Sequence, residues 1–358
     1  MRLSHRRRRG ITAAATDLFP KVAAVVPPIA QTLQEHLDRG DRPGKSARSQ
    51  WAVAALRCYE LGLGLRGAPA PPRQERLSSD PDTAVLAEVL AAAICHSTNW
   101  DRLRASVGRA AGDPEWFTAH RLAGLTPAEF QRAFGDGLAA DSTFAGRHRL
   151  FTETAALVAA GELRLDWLHD AAPRVGGEGG IYDRLGRVPA FGRDPEQKKA
   201  RILVQELCRT ELIDPVDPAS IRPAVEYHLI RLYLRTERVL PTRAEDLSKL
   251  TTPTTFRAPV IGRVRRAVES AMYFTASAAE ISIPHLNQIE WQVGRSYCVR
   301  GNPRCSGPAD PGKPCDETVL ALADGGRCPF ADLCAANADG SGLARLVEPQ
   351  LSSRHDFY

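Results

Sequence analysis

Five cysteines fall within 37 residues of one another, at Cys298, Cys305, Cys315, Cys328 and Cys334. Six residues separate Cys298 from Cys305, and five separate Cys328 from Cys334, with Pro329 directly after Cys328. Thiolates this close on irregular backbone can converge on one centre, and four of them suit either a tetrahedral zinc ion or an iron–sulfur cubane. Structural zinc favours tighter paired knuckles, so arms of six and five residues fit a bulkier object better. The spacing therefore favours a 4Fe-4S cluster over zinc. Cys58, Cys95 and Cys208 stand singly in apolar, helical-looking sequence.

The elements that must carry such a loop read as helices. Thr126-Pro127-Ala128-Glu129 is a capping box with proline at the first helical position. Residues 83–95 are alanine-rich and apolar on most faces, which predicts a buried helix. Further helices are predicted at 29–37, 50–61, 144–160, 194–208, 223–239, 261–274 and 284–297, with loops at 67–73 and 176–180. Strand alternation is nearly absent, so the fold class is all-α.

A length of 358 residues suggests one large domain or two ordinary ones, and a hydrophobic fraction of 43% excludes wholesale disorder. No apolar run approaches the ~18 residues a membrane span needs. The arginine-rich start, Arg6 to Arg9, is not followed by the apolar stretch of a secretory signal, so a cytoplasmic location is expected. A net charge of +5 permits an anionic partner without requiring one. The segment from Gly40 to Ser46 imitates a phosphate-binding loop, but it is one residue short and follows a helix rather than a strand.

Gly294-Arg295-Ser296-Tyr297-Cys298, the six-residue arm to Cys305, and Cys328-Pro329 with its arm to Cys334 resemble the cluster loop of endonuclease III-type DNA glycosylases. That family carries C-x6-C-x2-C-P-x4-C. Here the middle spacer is 22 residues, 306–327, and holds Cys315. The resemblance implies Cys298, Cys305, Cys328 and Cys334 as cluster ligands, with Cys315 a rival for the third place. Upstream, Val225-Glu226-Tyr227-His228-Leu229-Ile230-Arg231 stands where the family has its catalytic aspartate segment, with Glu226 in the aspartate's place. The segment from Pro189 to Ala200 corresponds to the helix–hairpin–helix but lacks its G-x-G, and Lys198 falls on the Schiff-base position of bifunctional members. His96-Ser97-Thr98-Asn99 resembles the segment whose glutamine fills the gap left by an everted base.

The resemblance spans roughly 82–340 and implies a two-lobed helical fold. The expected divisions are a basic arm and helices at 1–80, a six-helix-barrel-like lobe with a degenerate hairpin at 81–240, a cluster lobe at 241–340 and a tail at 341–358. It implies cleavage of an N-glycosidic bond in DNA, with or without strand scission, by a monomer that has no membrane partner. Glu226 would stabilise charge on the sugar, and Lys198 or Lys199 would serve as an amine nucleophile. His96 and Thr98 would sit at the wedge and Tyr227 and His228 at the base pocket. Arg257, Arg263, Arg265, Arg266, Arg300 and Arg304 would neutralise phosphates. The competing readings are a solvated helix face for the lysine pair and a structural ion pair of Glu226 with Arg231 or Arg235. For the chain as a whole they are a non-catalytic DNA-binding module and a hydrolase of a free modified nucleoside or nucleotide.

Overall fold

A computed structural model describes residues 51–351, apart from residues 97, 139–142, 167–172, 243 and 338–341. The basic arm, the helix expected at 29–37, the 40–46 segment and part of the tail lie outside the described residues. In chain order the helices are α1 (Ala55–Leu63), α2 (Pro81–Ala93), α3 (Trp100–Ala111), α4 (Ala119–Ala123), α5 (Pro127–Phe134), α6 (Phe144–Ala159), α7 (Ile181–Leu185) and α8 (Pro189–Gly192). They continue with α9 (Lys198–Arg209), α10 (Tyr227–Arg235), α11 (Ala244–Lys249), α12 (Ala258–Ala279), α13 (Ile283–Ser296) and α14 (Glu317–Leu322). Four short strands make two small sheets. Strand β1 (Trp51–Val53) runs antiparallel to β2 (Val239–Pro241), and β3 (Thr255–Phe256) runs parallel to β4 (Gln350–Leu351). The chain is mostly helical, as its patterning predicts.

The chain divides into two compact units, one of the described residues up to 72 together with 225–351, the other of 73–224. The boundary falls at 224/225 rather than 240, so α10 belongs with the cysteine-bearing unit. Its strongly amphipathic sequence explains this, because Leu229, Leu232 and Tyr233 are buried and the helix packs on α13 and α12.

In the 73–224 unit, α2 is surrounded by α3, α6 and α9. From Thr83 to Ala93 every residue of α2 is buried, which is why its sequence shows no polar face. Asp80, Asn99, Thr118 and Thr126 cap helices with their side chains, and the Thr126–Glu129 capping box forms as its spacing predicts. Phe130, Phe134 and Phe151 pack ring against ring. The guanidinium of Arg104 lies between two buried carboxylates, Glu88 and Glu206. Helix α3 was not evident from sequence, since Leu103, Val107 and Ala111 are its only buried apolar positions among five charged residues or glycines.

In the other unit α12 packs along α1, β1 and α13. The helix predicted from residue 50 begins five residues later, because Trp51–Val53 is extended and paired with β2. Helix α10 is shorter than the predicted 223–239 because Glu226 is extended, with φ −130°, and caps it. The chain leaves the helix at Thr236 and enters β2 at Val239.

Candidate functional site

Glu226 is the N-cap of α10, and its Oε1 accepts from the amides of His228 at 2.9 Å and Leu229 at 3.3 Å. These amides are unsatisfied at any helix start, and they favour a negative charge at that position. The carboxylate therefore has a fixed seat at the start of α10, where the Tyr227 and His228 rings have centroids 4.1 Å apart. Burial, and then the Glu226 charge, hold the Tyr227 phenol well above its usual range. Burial and the neighbouring Arg231 guanidinium keep His228 far below the usual imidazole range, so its ring is neutral. Its Nδ1 accepts from Arg231 Nη2 at 2.8 Å. Gly294 is required at this point, because a Cβ there would come within 2.9 Å of the His228 carbonyl oxygen.

The Glu226 charge acts on Arg231, but the hydrogen-bond donors of Arg231 and Arg235 are directed elsewhere. Arg231 forms an ion pair with Glu348 at 2.7 Å and donates to the carbonyls of Cys298 and Gly294, at 2.5 and 3.0 Å. Arg235 is fully buried and directs every donor at irregular chain. It bonds the carbonyls of Leu346 at 2.8 Å, Val299 at 2.7 Å and Arg300 at 2.9 Å, and the Cys298 sulfur at 3.6 Å. One helix thus carries Glu226 at its start and grips the cysteine loop from its end. Sequence reading named these arginines only as partners for Glu226. Buried arginines at i and i+4 on an apolar helix were the available signal.

The two arms of the loop are tied by the Cys328 amide, which donates to the Cys305 carbonyl at 3.2 Å. Burial raises the Cys305 thiol to about 11, and the nearby Cys334 and Cys298 add to the shift. Cys328 is raised well above its usual value, first by burial and then by Cys298, Cys305 and Cys334. Cys334 is raised by burial and by Cys298. The four thiols therefore share one electrostatic neighbourhood. Cys315 stands outside it, among Ser296, Arg295 and Asp316. Among the described residues, no three His, Cys, Asp or Glu side chains close up as ligands of a single metal ion. Four thiols that act on one another's charge are a donor set that either a zinc ion or an iron–sulfur cluster accepts.

The other predicted residues lie as follows. Lys198 and Lys199 open α9 in the 73–224 unit and are both buried, so neither is on a solvated face. The Lys199 ammonium donates to the Ala93 carbonyl at the end of α2, at 2.6 Å. The Lys198 ammonium has no partner among the described residues. The amides of Glu196 and Lys198 both donate to the buried carboxylate of Asp194, at 3.0 and 2.8 Å. That carboxylate occupies hairpin amides that would otherwise be open to an anion. Gly192 holds the hairpin tight, since a Cβ there would come within 2.0 Å of the Gly186 carbonyl oxygen.

His96 is 1% exposed, with neither ring nitrogen hydrogen-bonded. Burial, aided by the charges of Lys199, Arg147 and Lys198, pulls its pKa down to about 2. In this position it is an enclosed neutral imidazole; to act as a wedge it would have to leave the protein interior. Thr98 donates to the Gly137 carbonyl at 3.1 Å. Arg265 is buried on the inner stripe of α12 with Ile261, Val264, Val268 and Glu269, while Arg257 is exposed and Arg263 and Arg266 are half-buried. A phosphate contact from this segment would therefore fall to Arg257, Arg263 and Arg266. Arg300 is paired with Glu348, and Arg304 is exposed. No family model matches the chain, and no curated protein matches it.

Proposed function

We propose that the chain is a divergent glycosylase of the endonuclease III type, cleaving the N-glycosidic bond of a damaged or modified base with Glu226 as the catalytic carboxylate. The observation that carries this reading is the placement of Glu226, capping the helix whose far end clamps a four-thiol loop. As the base departs, positive charge develops on the sugar. A carboxylate already desolvated and held by two amides can stabilise that charge without reorganising, and it can orient or deprotonate the attacking water. Tyr227 and the neutral His228 would border the base. Lys198, rather than Lys199, is the amine free to form a covalent adduct if the strand is also cut. Cys298, Cys305, Cys328 and Cys334 would hold a 4Fe-4S cluster that fixes the loop.

A second reading, hydrolysis of a free modified nucleoside or nucleotide, is favoured by Asp194. A hairpin whose amides are taken by an internal carboxylate is poorly prepared to bind a strand phosphate. A panel of damaged and modified bases, presented both free and in oligonucleotides, separates the two. Glu226→Gln keeps the cap acceptor and removes the charge. Turnover should fall at least ~100-fold while folding and metal content are unchanged. Glu226→Asp should be slower than wild type if the site is built around the longer side chain. Full activity in Glu226→Gln would remove this residue from the mechanism.

A further inference from the structure

Arg231 is 2% exposed, and the carboxylate it bonds among the described residues is Glu348, 1% exposed and 117 residues further along the chain. A guanidinium has donors and no acceptor, so its other contacts fix the state of its neighbours. Nη2 donates to the Gly294 carbonyl and to His228 Nδ1, and Nε to the Cys298 carbonyl. An imidazole nitrogen that accepts from arginine carries no proton, so the neutral His228 ring holds its proton on Nε2. The amide of the same histidine donates to Glu226. Glu348, Arg231 and His228 thus form a chain of contacts that ends at Glu226: carboxylate to guanidinium, guanidinium to ring, and amide to carboxylate.

The backbone on either side of Glu348 holds it in place. The Leu346 carbonyl accepts from Arg235 Nε at 2.8 Å, the Val347 amide donates to the Leu250 carbonyl at 2.7 Å, and the Gln350 amide to the Thr254 carbonyl at 3.0 Å. Between them Pro349 has no amide hydrogen to satisfy. Strand β4 then pairs with β3. Both oxygens of Glu348 are used, Oε2 by Arg231 and Oε1 by Arg300 Nε at 2.8 Å. The Arg300 side chain is 48% exposed, so this carboxylate spans from the surface to the buried guanidinium. A buried cation stripped of its counter-ion turns to another anion or to water. Glu226, at the other end of the same chain of contacts, is the anion at hand.

We propose that Glu348 is a positioning residue of the Glu226 site: it occupies the Arg231 guanidinium, so that Arg231 stays on the His228 ring and is not drawn to Glu226. This rests on the glycosylase reading of Glu226 and adds to it a residue beyond the 82–340 span of the resemblance. Glu348 acts through Arg231. Its charge fixes the guanidinium, the guanidinium fixes the tautomer and setting of the ring, and turnover depends on that setting.

The test uses the full chain and three variants. Glu348→Gln removes the charge and keeps an acceptor, Glu348→Asp keeps the charge on a shorter stem, and Leu346→Ala loosens the same buried tail segment without touching the ion pair. On the panel substrate that wild type turns over, Glu348→Gln should lower kcat roughly 10–100-fold. KM should change less than about 2-fold. Glu348→Asp should recover part of the loss, and Leu346→Ala should lower the melting temperature with kcat retained. The second readout needs no substrate. In protein labelled with 15N-histidine, the His228 signal, assigned by its loss in His228→Gln, should show the single Nε2–H tautomer in wild type and a mixture in Glu348→Gln. Wild-type kcat in Glu348→Gln overturns the proposal. So does a loss of kcat that follows melting temperature across all three variants with the ring signal unchanged, which is the mark of structural support alone. If wild type turns over nothing on the panel, the glycosylase reading falls, and the ring signal still decides whether Glu348 sets His228.

Discussion

Two buried arginines, one in each unit, use their charge differently. Arg104 sits between Glu88 and Glu206, and the group closes on itself among packed helices. Arg235 has no carboxylate partner among the described residues and is turned toward three carbonyls and a sulfur of irregular chain. The first unit could lose its ionic group and still have α2 buried on every side. In the cysteine-bearing unit the loop backbone takes its hydrogen bonds from guanidinium donors. A buried cation serves mainly as an internal neutraliser in one case and as a scaffold for a site in the other.

The sharpest way to break this comparison is at the cysteines. Cys328→Ser should abolish the iron of the purified protein, expected at about four atoms per chain for a cubane, whereas Cys315→Ser should leave it intact. Metal analysis and visible absorption of anaerobically prepared protein check this, and one colourless zinc per chain would sink the cluster assignment. Next in size is Arg235→Ala. It strands several buried acceptors at once, each costing roughly 1–3 kcal/mol. A loss of at least ~3 kcal/mol in denaturant unfolding is expected, together with reduced metal retention. If Arg235→Ala is tolerated as readily as an exposed arginine, the scaffold role fails.

The smallest effect is a pH dependence belonging to the helical unit. Burial, opposed by Arg104, raises Glu88 from 4.5 to about 7. The folded state therefore binds this proton more tightly than the unfolded chain. Its contribution is complete below about pH 4.5 and is lost as pH rises through 7. Glu88→Gln should flatten stability across that window. His96 has the opposite sign, since its lowered pKa makes stability fall as pH drops below 6.5. His96→Gln should remove that acid-side loss. A Glu88→Gln variant with an unchanged pH profile would show that the Arg104 group carries no titration.

The sequence by itself determined the helical class, the Thr126 cap and the buried character of α2. Each is a local property: cap chemistry spans three residues, and helical burial shows in periodicity. Glu226 was legible as a candidate only through the resemblance of residues 225–231 to the catalytic segment of a known family. Its role as the cap of α10 was not, because 223–239 reads as continuously helical until the extended backbone at Glu226 is seen. Only the tertiary structure decided that Arg231 and Arg235 serve the loop rather than Glu226, since their acceptors lie more than 60 residues away in sequence. It also buried Arg265 and His96, and separated Lys199, tied to a helix end, from Lys198. Charge in a sequence gives no direction. Which way a long cationic side chain points is set by the acceptors that packing brings to it, and for Arg235 those acceptors are backbone carbonyls that no residue type reveals.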